Sequence, residues 1–146
     1  MRFLNFELSQ PSFSIELIAL GMVWDLHNAG DFLGFELDAR DNSAVLKWSI
    51  DGDPAIMYSG CTLVFKGLKL LMVSPGGEEP PYTDDLCISG ISKVMPGYTH
   101  VVDPDHFRGV KEDWAPGEPF GLLFDFQSGR SIKIEAETVE FRGIPC

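Results

Sequence analysis

The stretch from Phe120 to Ala136 limits the fold more tightly than any other part of the chain. Phe120, Leu122, Phe124 and Phe126 alternate with Gly121, Leu123 and Asp125, and Ile132, Ile134 and Ala136 alternate with Lys133 and Glu135. A period of two marks strands with one buried face. The two apolar sets must meet on that face, and the requirement fixes the loop between them. A two-residue Ser128-Gly129 loop would send the sets to opposite faces. A three-residue loop, Gln127-Ser128-Gly129, pairs Phe124 with Ile132 and Leu122 with Ile134. It also puts Gly129 third in the loop, where a left-handed residue is wanted. Ser131, Lys133, Glu135 and Glu137 are then expected to face water.

A second hairpin is expected over residues 32–50. Leu33, Phe35 and Leu37 alternate with Gly34 and Glu36, and Leu46, Trp48 and Ile50 alternate with Lys47 and Ser49. Pairing Leu37 with Leu46, Phe35 with Trp48 and Leu33 with Ile50 joins the apolar sets through Asp41-Asn42 or through Arg40–Ser43. Leu4, Phe6 and Leu8 alternate as well. Residues 13–23, FSIELIALGMV, have no single helical stripe and are expected as strand. CTLVFKGLKLLMV, 61–73, is long enough for two strands, with a bulge, corner or turn at Gly67. Leu86–Met95 adds another strand, kinked at Gly90, and the Gly-Gly and Pro-Pro pairs of 74–85 mark a loop.

These segments predict one mainly β domain spanning 1–146. It would be an antiparallel sandwich or partly open barrel of about seven to nine strands with one short helix near 103–114. The composition, 45% hydrophobic with 11 Phe, is that of a globular chain. No apolar run is long enough to span a membrane, and the opening MRFLNFELSQ lacks the basic and apolar regions of a signal peptide. A cytoplasmic location is expected. Three cysteines (Cys61, Cys87 and Cys146) fit no disulfide framework or zinc spacing, and are expected as small buried hydrophobes plus a terminal thiol.

The net charge of −11 comes from 22 acidic and 11 basic residues. Nine acids face three bases over residues 1–60, and nine face five over 101–146, with a local peak at Glu78, Glu79, Asp84 and Asp85. Such a field repels nucleic acid and anionic membranes and favours basic protein partners. Tyr82 in the same acidic loop, with Tyr98 and Trp114, is either an interface anchor or a lid packed over the ends of the sheet.

Two of the three histidines fall in THVVDPDHF, residues 99–107. Asp103 suits a helix N-cap, Pro104 the first helical position and Asp105 the positive end of the dipole. Phe107, Val110 and Trp114 would form the docking stripe, and Ala115-Pro116-Gly117 the stop. The competing reading takes His100, Asp103, Asp105 and His106 as ligands of a transition metal in a small metal-dependent enzyme, or as part of a ligand-binding β-barrel. His27, beside Asp25 in WDLHNAGDF, is either a turn residue or half of an acid–base pair. No P-loop, GxGxxG, HExxH or GxSxG pattern occurs, and no cofactor is implied.

WDLHNAGDFLGFELDARDNSAVLKWSI, 24–50, resembles the opening of small bacterial β-rich domains of the immunity-protein type. FGLLFDFQSGRSIKIEAETVEF, 120–141, is similar to their final hairpin. Asn28 stands where an Asp would be usual, and residues 51–119 match no part of such domains. The resemblance implies a non-enzymatic protein that binds and neutralises another protein, and it transfers no active residue. The expectation carried forward is an acidic module that binds a basic protein, with Asp25, His27, Glu78, Glu79, Tyr82, Asp84 and Asp85 as the candidate contact residues.

Overall fold

Alternating apolar positions need a second layer to cover their buried face, and this chain supplies that layer by bending one sheet. The computed structural model describes residues 1–10, 13–51, 57–75, 86–95, 99–101, 109–111 and 118–146. Its strands are β1 (Arg2–Leu4), β2 (Phe6–Leu8), β3 (Phe13–Ser14), β4 (Glu16–Ala19), β5 (Met22–Asp25), β6 (Gly30–Asp38) and β7 (Ser43–Ile50). They continue with β8 (Tyr58–Ser74), β9 (Ile88–Val94), β10 (Thr99–Val101), β11 (Gly109–Lys111), β12 (Gly121–Phe126) and β13 (Ser131–Pro145). The large sheet runs β3-β9-β12-β13-β8-β7-β6, each neighbouring pair antiparallel, and β2-β4-β5 form a small sheet. β1 lies parallel to β13, on the edge that β12 uses further along the strand. The large sheet does not close into a barrel. No helix among the described residues is long and apolar enough to cross a membrane.

The β8–β13 ladder carries the architecture. It extends from Tyr58 opposite Pro145 to Ser74 opposite Ser131, with a register shift between Glu135 and Ala136. Close to that shift, Gly67 has φ +65°, which a residue with a Cβ adopts only with strain. Bulge and glycine together turn the ladder, as expected for a corner. The two halves of the sheet therefore face each other. Phe32 of β6 contacts Phe126 of β12 at 4.8 Å, although the two strands are far apart in sheet order. Trp48 meets Phe124 at 5.8 Å, and Phe65 meets Phe124 edge-on at 6.3 Å. These ring pairs, with Leu46, Leu63, Ile91, Leu122, Ile132 and Ile134, fill a solvent-free interior.

The 120–136 hairpin has the register that the sequence requires. Phe124 stands opposite Ile132 and Leu122 opposite Ile134, and Gly129 has φ +89°. Gly129 N donates to Phe126 O and Phe126 N to Arg130 O, which closes the three-residue loop. Ser131 departs from expectation, being buried and hydrogen-bonded to Ser74 across the ladder. The 32–50 hairpin is corrected by two positions. Phe35 faces Leu46, Leu37 faces Ala44, and Phe32 faces Trp48, with Leu33 in a bulge between Phe32 and Gly34. The loop is Ala39–Asn42. Asp38 Oδ1 accepts from Arg40 N and Asp41 N, and Asn42 takes φ +49°, so local side-chain bonding outweighs the simpler register.

Short strands raise the count above the expected number. Asn5, at φ 60°, separates β1 from β2 and sends them to different sheets. Its side chain replaces the lost pairing, as Nδ2 donates to Phe141 O and Oδ1 accepts from Phe141 N, both at 3.0 Å. Residues 13–23 hold three strands rather than one, because Leu20 (φ 53°) and Gly21 (φ 75°) make a two-residue turn between β4 and β5. The small sheet closes one side of the core. Trp24 packs edge-on against Phe141 at 4.8 Å and Tyr58 at 5.3 Å, and its Nε1 donates to Ala19 O. The helix near 103–114 is corrected where the chain is described, since Gly109–Lys111 pair with Thr99–Val101 as strands. Glycine and β-branched valine at 109–110 favour extended backbone over helix. The rest of that window lies outside the described residues.

Phe141→Ala should cost about 3–5 kcal/mol in chemical denaturation, because it opens a cavity where the small sheet meets the ladder. Gly67→Ala should cost about 1–2 kcal/mol from the left-handed backbone. Equal, near-zero effects for both would contradict a sandwich organised around the bent ladder.

Candidate functional site

Most of the acidic candidates cannot be placed. Glu78, Glu79, Tyr82, Asp84 and Asp85 lie outside the described residues, as do Asp103, Asp105 and His106. His100 is in β10, its backbone opposite Val110. Among the described residues no group of three or more His, Cys, Asp or Glu side chains is arranged to hold a metal ion. Asp25 and His27 are well placed, in the turn between β5 and β6.

That turn is held by Asp25. Its Oδ1 accepts from His27 N at 3.0 Å and Asn28 N at 2.8 Å, and its Oδ2 accepts from Asn28 Nδ2 at 2.7 Å. Burial pushes the Asp25 carboxyl up. The bonds from Asn28 and His27, with the nearby imidazole, outweigh burial and hold it below its ordinary 3.8. His27 Nδ1 lies 2.6 Å from Ile88 O and 3.4 Å from Cys87 Sγ. A carbonyl oxygen only accepts, so Nδ1 carries the hydrogen and donates to it. The same nitrogen is then unable to take a proton from the thiol. Cys87 Sγ donates instead toward His27 O at 3.3 Å. The pairing of Cys87 with His27, invisible in a sequence that separates them by 60 positions, anchors the turn on β9 rather than activating a nucleophile. Cys61 is sealed in the core, where burial pushes its thiol up to about 12.

A different place stands out on geometry. β6 ends the large sheet, so among the described residues one of its edges has no strand partner. Among the described residues the far half of β8 also has no strand on the side away from β13, since β7 reaches only as far as Lys66 and Asn42 only to Leu68. Between these two edges lies a groove of about 400 Å³, lined by Phe32, Leu33, Gly34 and Phe35 of β6, Val73, Ile132 and Arg130. Phe35 and Leu37 share a face with the core residues Leu46 and Ala44, yet they are 40% and 57% exposed. Leu33 is 62% exposed and Val73 40%. On the opposite face of the same strand Asp31, Glu36 and Asp38 are exposed. The sequence carries one trace of this seam. Adjacent apolar residues followed by glycine, Phe32-Leu33-Gly34, interrupt the alternation as a bulge does.

Asp25→Ala should destabilise the chain by about 1 kcal/mol at neutral pH, since water competes for these half-exposed bonds. The folded carboxyl has the lower pKa, so its contribution is complete above the unfolded value and disappears as pH falls through the depressed one. Denaturation of wild type and variant should therefore differ at pH 7 and converge as the pH falls below the depressed value of the carboxyl. A constant difference would exclude an ionised Asp25 as the origin.

No protein-family model, curated protein or solved structure matches this chain, so the functional reading rests on the geometry above.

Proposed function

We propose that this chain is a non-enzymatic binding module whose acidic surface holds a basic partner protein, as immunity-type proteins hold and neutralise theirs. The observation that carries the reading is β6, which presents exposed apolar side chains on one face and Asp31, Asp38 and the Lys47-paired Glu36 on the other, at a sheet edge with no strand partner among the described residues. Apolar residues supply contact area, and a surrounding rim of one charge sign steers a partner of the other.

The distribution of the remaining charge supports it. Ion pairs balance part of the charge, along β13 through Lys133 with Glu135 at 3.2 Å and Arg142 with Glu140 at 2.7 Å, and between β7 and β6 through Lys47 with Glu36 at 2.5 Å. Asp31 and Asp38 lie along β6, Asp41 is in its hairpin loop, and Glu16 stands directly across from Asp25.

The test is retention from host lysate on immobilised chain, loaded at low salt and eluted in steps. A basic protein should be retained, released as salt rises, and bound about tenfold more weakly by the variant carrying Asp31→Asn, Glu36→Gln and Asp38→Asn, a loss of ~1.4 kcal/mol. Asparagine at 38 still accepts the loop hydrogen bonds. Equal retention by the variant, or release that ignores salt, would contradict the reading.

A further inference from the structure

We infer that the partner is held as an added strand: one extended segment, apolar and basic at alternate residues, pairs with the free edge of β6 and lays its apolar side chains in the groove beside Val73 and Ile132. This rests on the proposed binding function and specifies its mode. Three features of the site converge on it.

The first is the edge. An unpartnered strand presents backbone N–H and C=O groups that an extended chain satisfies, and proteins ordinarily shorten, cover or charge such edges. β6 is nine residues long and bears the charges of Asp31, Glu36 and Asp38 and the bulge at Leu33–Gly34, but no strand covers its edge among the described residues. The second is the groove. Because the bulge turns Leu33 toward it, both lips are apolar, with Leu33 and Phe35 on one side and Val73 and Ile132 on the other. A backbone alone would leave those side chains wet. Alternate residues of an added strand point toward this groove and cover them.

The third is charge. The residues between the inward ones would lie beside Asp31, Glu36 and Asp38, and cross-strand neighbours of opposite sign are favourable. The only charged side chain lining the groove, among the described residues, is Arg130, which sets the basic positions of the segment outward and the apolar ones inward. Charge also argues against a second copy of this chain as occupant. Pairing β6 with β6 would bring Asp31, Glu36 and Asp38 together with their own duplicates on two chains of net charge −11.

The probe is a short capped peptide of strictly alternating lysine and valine, compared with one of identical composition in two blocks. Both are titrated against the intact chain at low salt, with amide exchange followed along β6. The alternating peptide should bind at least about tenfold tighter than the block peptide and slow exchange in Phe35–Asp38. Leu33→Lys and Val73→Lys, both at exposed positions, should each lose that preference. Equal binding of the two peptides would overturn strand addition while leaving an acidic binding surface intact. So would a failure of both peptides to bind while the chain still retains a basic protein through Asp31, Glu36 and Asp38. Two further results would overturn the proposal: β6 amides already slow and unchanged by peptide, which would mean that the chain's own segment fills the seam, and β6 protection that appears with self-association alone.

Discussion

The antiparallel ladder between β8 and β13 is the element on which the rest of the structure depends. It is long enough to serve both layers of the sandwich, and it changes direction where Gly67 lies close to the shift between Glu135 and Ala136. One half carries β12, β9 and β3, and the other carries β7, β6 and β1. The bend folds these halves face to face and brings Phe32 to Phe126 and Trp48 to Phe124. A flat ladder of the same sequence would leave those rings in water.

A sandwich made by bending one sheet has a consequence at its ends. The corner joins the two layers on one side, and the opposite side ends in two strand edges, β6 and the far half of β8. In this chain apolar residues continue past the covered core onto those edges, so Phe35 and Leu37 keep the orientation of core residues without the cover. The small sheet seals a different part of the interior, through Trp24 against Phe141 and Tyr58. The exposed apolar seam and the acidic side chains of β6 thus follow from one architectural choice.

What could be read in advance depended on how far a local rule reached. The 120–136 hairpin was legible because only one loop length brings Phe124 and Leu122 to the same side as Ile132 and Ile134. Gly67 was legible as a bulge, corner or turn because glycine interrupts a run of two strand lengths, but the chain continues through it as the single strand β8. The 32–50 hairpin departs by two positions from simple alternation, since Asp38 and Asn42 close a loop that alternation does not see and Leu33 takes the bulge. Asn5 was hidden for the same reason, as one residue at positive φ moves the chain between sheets without disturbing the apolar pattern. The His27–Cys87 contact and the seam arise from strands distant in sequence, and no local pattern encodes such contacts.

Native-state hydrogen exchange on the chain alone tests the open sandwich most directly. Amides of the ladder around Leu63, Phe65, Val139 and Phe141 should be the slowest, exchanging only on global unfolding. Along β6, alternate amides, those directed away from β7, should exchange fast while their neighbours stay protected. Uniformly slow exchange throughout Gly30–Asp38 would show the edge to be covered and would contradict a sandwich left open on that side.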